Sequence, residues 1–234
     1  MIDLLIPTRG RPKRVERLLK SIVDTIGNKD NISVYFYCDD DDSIEAKNYI
    51  KNSNNIFDLN IKYLIGDRIV LSKCWDELWK ISYSSIIMHC ADDIIFTSKD
   101  WDIKVIDHFK NDFNGDELFL LYGPDGIQNE KLATHSFTSR KASKILGYFV
   151  PPYFACDYND TWLNEIYQAI GRRVYDPSIS IEHEHFSKYS NNFDQTYANI
   201  RSKFNESTLI WEQKKSERLD ASSKLWAEIN KVGE

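Results

Sequence analysis

This 234-residue chain opens with four short apolar runs, each closed by a charged turn and most followed by a helical pattern. Residues 2–6 read as a buried strand. Val15, Leu18, Leu19, Ile22 and Ile26 then recur at helical spacing, with Pro12 suited to the first turn and Gly27 to the stop. Residues 32–38 repeat the strand pattern, and a helix over 43–51 follows, where Asp42 and Glu45 have the spacing of a capping box. A third strand, 61–65, ends at Gly66-Asp67-Arg68. Leu71, Cys74, Trp75 and Leu78 form the stripe of the next helix, and a fourth strand, 85–90, stops at Ala91-Asp92-Asp93. Alternation of this kind predicts an α/β fold with right-handed crossovers and a mixed, mainly parallel sheet flanked by helices.

Sheets of this type bind ligands beyond the carboxyl ends of their strands. Pro7-Thr8-Arg9, Asp39-Asp40, Asp67-Arg68 and Asp92-Asp93 all fall at such ends, which predicts one polar, nucleotide-type cleft. The later sequence is less regular. Strands are expected over 118–122 and 133–138, a short helix over 141–146, a Pro- and aromatic-rich loop over 148–154, a helix over 161–170 and a strand over 178–186. Beyond Asp194 the chain reads as a polar helical extension with Leu219, Leu225, Trp226 and Ile229 on its apolar side. The expected organisation is a domain over 1–190, with a nucleotide-binding half (1–95) and an acceptor half (96–190), then a C-terminal helical extension over 191–234.

Composition narrows the classes. With 30 Lys+Arg against 36 Asp+Glu, the chain lacks the basic balance of a dedicated nucleic-acid binder. Cys38, Cys74, Cys90 and Cys156 are widely spaced without a CxxC pair, which suits reduced thiols in a cytoplasmic protein. The first residues read as a strand rather than a signal peptide, and no apolar run is long enough to span a bilayer.

Two adjacent acids delivered by a buried strand are costly unless a positive charge meets them. Asp92-Asp93 therefore reads as a site for a divalent metal carrying a diphosphate, or as a pair capping a turn. Asp39 or Asp40 could accept a hydrogen bond from a base N–H or a ribose hydroxyl; Asp41 and Asp42 suit a helix N-terminus. Arg9 and Arg68 are expected to meet phosphate or base, and Arg11 to be a surface arginine. The Arg9-Gly10-Arg11-Pro12 run matches a minor-groove-binding core, but that motif works from a flexible arm. His183 and His185 share one face of a strand, so that one of them could reach the metal or diphosphate. Asp160 is either a helix cap or a general base, with Asp157 as competitor, and the loop over 148–154 is a platform for a sugar face or a packed hinge.

The order strand-PTR-helix, strand-DD, strand-GDR, strand-ADD, ND-helix, strand-HxH resembles the GT-A fold glycosyltransferases, especially the inverting family-2 type, over about residues 1–186. The resemblance implies Pro7, Thr8, Arg9, Asp39 or Asp40, Arg68 and Asp92 for nucleotide binding. It implies Asp93, Asp92 and His183 or His185 for the metal, Mn²⁺ or Mg²⁺, and Asp160 for the base. Cys90 replaces the first acid of a strict DxD, and Asn159 replaces the Glu that usually precedes the base. The activity implied is metal-dependent transfer of a sugar from a nucleoside diphosphate sugar, expected to be a UDP-sugar, to an acceptor hydroxyl with inversion. The acceptor could be a glycan or another hydroxyl-bearing molecule, a modified DNA base included. A sugar-phosphate nucleotidyltransferase would carry a Gly-rich loop after its first strand, where this chain has one glycine; a non-catalytic nucleotide-sugar-binding module is the third reading.

Overall fold

In the computed structural model, which describes residues 1–155 and 157–231, Ile2, Leu4, Leu5 and Ile6 of the first strand are fully buried. This strand, β1 (Ile2–Thr8), is the hub of the sheet. It is flanked in parallel by β2 (Ile32–Asp39) on one side and β4 (Ile86–His89) on the other, with β3 (Ile61–Gly66) beyond β2. Helices α1 (Pro12–Thr25), α2 (Ile44–Phe57) and α3 (Leu71–Ile81) supply the crossovers. Val15, Leu18, Leu19 and Ile22 turn the apolar stripe of α1 into the core, as their spacing predicts. The capping box at α2 does not form: Ser43 caps the helix by accepting from the Ala46 N–H. Asp42 instead accepts the backbone N–H of Gly10 at 2.8 Å and that of Ser43 at 2.7 Å.

The later half carries elements that have no clear signature in the sequence. A short strand β5 (Ile94–Phe96) follows Asp93 directly, and α4 (Trp101–Asn111) comes after it. The main sheet continues through β6 (Leu120–Tyr122) and β7 (Ser136–Ser139) to give the order β3-β2-β1-β4-β7-β6-β8, where β8 is Arg173–Tyr175. β7 runs antiparallel to both β4 and β6, so the sheet is mixed and mainly parallel. Helices α5 (Arg140–Leu146) and α6 (Asn159–Ala169) follow β7. The strand expected over 178–186 shrinks to β9 (Ile181–His183), which pairs antiparallel with β5 in a separate two-stranded sheet.

The C-terminal helices α7 (Gln195–Arg201), α8 (Phe204–Gln213) and α9 (Lys215–Lys231) fold back on the domain. Leu225 is fully buried, whereas Leu219 and Trp226, expected on the same apolar side, are more than half exposed. Cys38, Cys74 and Cys90 are buried free thiols; Cys156 and residues 232–234 lie outside the described residues. No helix among the described residues is long and apolar enough to cross a membrane.

Candidate active site

The strand ends open into a cleft of about 540 Å³. It collects Pro7, Thr8, Arg9, Asp39, Arg68, Asp92, Asp93, Asp157, Asp160, His183 and His185 from the sequence-derived candidates. Asp40 is the exception: it is exposed and lies outside the lining, because the chain turns outward where its N–H bonds to the Gly66 carbonyl. Asp39 is the acid that faces the cleft.

The first-half residues are tied to one another by charge. Arg9 holds Asp39 at 2.7 Å and also grips Asp41, so its guanidinium is already committed to acids at the end of β2. Burial pushes the Asp39 carboxyl up, against the pull of Arg9. Thr8 Oγ1 donates to Asp92 at 2.7 Å. Arg11 is no surface arginine: it reaches Asp92 at 3.1 Å, chelates Asp194 at 2.8 and 2.9 Å, and lies under the Tyr197 ring. Its placement follows from the turn after β1, which aims it across the strand ends, and from α7, which covers it. Even so, burial and the adjacent Asp93 push the Asp92 carboxyl up, and Arg11 offsets this only in part.

Asp93 behaves oppositely. Burial works against its ionisation, but His183, His135 and the Tyr197 hydroxyl hold its carboxyl well below the ordinary range. Asp93 sits just beyond β4, and the Glu184 N–H bonds to its carbonyl at 2.8 Å. The β5–β9 register places His183 opposite Ile94, so its Nε2 faces Asp93 Oδ2 at 3.7 Å. His135 immediately precedes β7, whose Ser136 pairs with His89 on β4. One ligand atom each from Asp93, His135 and His183 lies within 4.8 Å of the others, a group that could hold a metal ion.

The donor set fits such an ion. Both ring nitrogens of His135 are buried without a hydrogen-bond partner, and burial lowers its pKa to about 3, keeping the imidazole neutral. A neutral imidazole with a free lone pair is the form that ligates metal. For His183, burial alone would lower the pKa, but Asp125 and Asp93 raise it to about 9, so a metal would take its place on Nε2 by displacing the proton there. His185 falls outside the group: its Nδ1 accepts from the Ser187 N–H at 3.2 Å, and its ring packs against Phe186. Asp92 is likewise outside the three-residue group. His135 is the member of this group that sequence patterning misses; a lone histidine between Thr134 and Ser136 carries no spacing signal.

The two candidate bases separate clearly. Asp157 is exposed and paired to Arg201 at 2.8 Å. Asp160 is only partly exposed, and desolvation raises its pKa to about 6. It does not cap α6, whose N-cap position is Tyr158; it lies in the first turn, where its Oδ1 accepts from the Thr161 N–H at 2.7 Å. The loop over 148–154 is in large part packed: Phe149, Val150 and Phe154 are buried in the second core cluster.

The mannosyltransferase PcManGT from Pyrobaculum calidifontis, in complex with GDP-Man and Mn²⁺, superposes with a TM-score of 0.64 at 11% identity, covering 98% of this chain and 86% of its own. The chain has the GT-A fold. GalNAc-T7 with UDP, GalNAc and Mn²⁺ gives a TM-score of 0.64 at 10% identity over 78% of this chain. S. aureus TarS 1-349 with UDP-GlcNAc gives 0.59 at 13% over 77%. The chain spans 43% of the GalNAc-T7 chain and 57% of the TarS chain. No family model matches the sequence, and no curated protein sequence matches it. At these identities the likeness is one of GT-A architecture, carried by backbone rather than by side chains.

Proposed function

We propose that this GT-A chain is a glycosyltransferase that moves a sugar from a nucleoside diphosphate sugar to an acceptor hydroxyl, using a divalent metal held by Asp93, His135 and His183. The observation that carries the reading is the convergence of those three ligands at the carboxyl edge of the sheet, in the same cleft as the half-buried Asp160. PcManGT and GalNAc-T7, of the same architecture, hold a nucleotide or nucleotide sugar together with Mn²⁺. One carboxylate with two imidazoles is a softer donor set than the oxygen-rich octahedron Mg²⁺ demands, which favours Mn²⁺ of the two.

Each residue then has a task. Asp39 accepts from the base or ribose, Thr8 and Asp92 position the ribose, and Arg68 at the exposed rim meets the nucleotide. The metal, when bound, supplies Lewis-acid neutralisation of charge building on the departing nucleoside diphosphate. Asp160 takes the proton of the acceptor hydroxyl. The acceptor oxygen bonds to the anomeric carbon as the bond to the phosphate oxygen breaks, and attack from the opposite face inverts the anomeric configuration. A UDP-sugar remains the proposed donor.

The test is direct. The protein is incubated with UDP- and GDP-sugars and Mn²⁺, and nucleoside diphosphate release is followed with and without the metal. Release that depends on Mn²⁺ is expected. Pyrophosphate release from a nucleoside triphosphate and a sugar phosphate would point instead to a nucleotidyltransferase. Tight donor binding without turnover on any glycan, lipid-linked or nucleic-acid acceptor would point to a binding module.

A further inference from the structure

Asp125 lies just beyond β6 and is almost wholly buried. Its Oδ1 accepts the backbone N–H groups of Ile127, Gln128 and Asn129 at 2.9, 2.7 and 2.9 Å. A turn cap needs only that oxygen. The other, Oδ2, accepts from Thr134 Oγ1 at 2.9 Å and faces His183 Nδ1 at 3.5 Å. The main chain makes the same connection, since the N–H groups of Ile181 and His183 donate to the carbonyls of Pro124 and Asp125, each at 3.0 Å. This close approach requires Gly123, where an added Cβ would sit 1.6 Å from the Ile179 carbonyl oxygen.

We propose that Asp125 is the positioning residue of the metal centre, orienting His183 directly and the His135 segment through Thr134. The proposal rests on the metal reading above. The Asp125 carboxylate is the acid 3.5 Å from Nδ1, a buried nitrogen with no hydrogen-bond partner, so it favours a proton there and leaves Nε2, the nitrogen turned toward Asp93, as the one to ligate. Thr134 immediately precedes His135, a ring with no hydrogen-bond partner of its own, so its hydroxyl bond fixes the backbone from which that ring projects. One buried carboxylate thus ties together the two chain segments that bring imidazoles to Asp93.

The test is Mn²⁺ binding to the intact chain, read by the electron-spin-resonance signal of free Mn²⁺ with and without UDP. Asp125→Asn keeps a carbonyl oxygen for the turn N–H groups and removes the charge at His183. It should weaken Mn²⁺ by about 10–100-fold, as loss of a partner behind a ligating histidine does elsewhere, and excess Mn²⁺ should restore its turnover. Thr134→Val should give a smaller loss of the same kind. Wild-type Mn²⁺ affinity in folded Asp125→Asn would overturn the proposal. If that variant does not fold, wild-type affinity in Thr134→Val would overturn it, and weakened binding would uphold it. A wild-type chain that takes up no Mn²⁺ would remove the metal reading and this proposal together, whereas variants that bind like a binding-competent wild type would remove only the role of Asp125.

Discussion

The two halves of the cleft are built on opposite principles. On the side of β1–β4, the acids that face the cleft are neutralised locally: Arg9 on Asp39, Thr8 and Arg11 on Asp92. On the side of β5–β9 the strands are short, and the groups they deliver are left chemically open. His135 has no hydrogen-bond partner, and Asp160 carries a carboxyl that burial has pushed up to about 6. The first side is suited to holding a ligand, the second to metal and proton chemistry. Asp93 is the joint between them, the last residue of the regular half and the anchor of the irregular one.

Substitutions should divide along that line. The largest effect on turnover belongs to the joint: Asp93→Asn should lower transfer by several kcal/mol in barrier, on the order of 10³-fold or more, with the circular dichroism spectrum unchanged. Near-normal activity in that variant would remove the metal from the account. Asp160→Asn should cost about 10²–10⁴-fold in kcat while donor affinity, measured calorimetrically, stays the same; unchanged turnover would reject Asp160 as base.

Asp160 also sets a pH dependence. Because a base must be ionised, kcat should rise as pH climbs through about 6 and level off above it. Stability runs the other way. A carboxyl whose folded pKa is raised stabilises the fold most at low pH and loses that contribution as pH rises through about 6. Asp160→Asn should therefore raise Tm at pH 8 and change it little at pH 4, and a lower Tm at pH 8 would contradict the desolvation argument.

Gly123→Ala probes the irregular half through its packing. The new methyl meets backbone rather than a flexible side chain, so a loss of roughly 1–3 kcal/mol or more is expected in urea unfolding. Wild-type stability would mean that β9 is not pinned as described. The smallest effect on turnover belongs to the holding side. Asp39→Asn should weaken nucleotide binding by about 1.5–3 kcal/mol, the worth of one charged hydrogen bond, with kcat little altered at saturation. A fall in kcat with binding intact would blur the division of labour.

The same division explains what could be read before folding. Strands β1–β4 announce themselves because each is a mostly apolar run closed by a charged turn, and Thr8, Asp39, Arg68, Asp92 and Asp93 follow at their ends. β5 hides as the apolar continuation of Asp92-Asp93, and its partner β9 retains three residues of a longer expected strand. His183 stands out through its alternation with His185, but only the antiparallel β5–β9 register places it beside Asp93. His135 and Asp125 depend on pairings between distant segments, β7 on β4 and Pro124–Asp125 against β9, which no local spacing encodes. Arg11 looked like surface because the α7 segment that buries it comes from the far end of the chain.

The most direct measurement is a thermal-shift screen of UDP- and GDP-sugars with and without Mn²⁺, run on the wild type and on His135→Ala. A nucleotide sugar should raise the wild-type Tm far more with Mn²⁺ than without it, and His135→Ala should lose that Mn²⁺-dependent increment. An equal shift without metal, or an undiminished increment in His135→Ala, would contradict a centre formed by Asp93, His135 and His183.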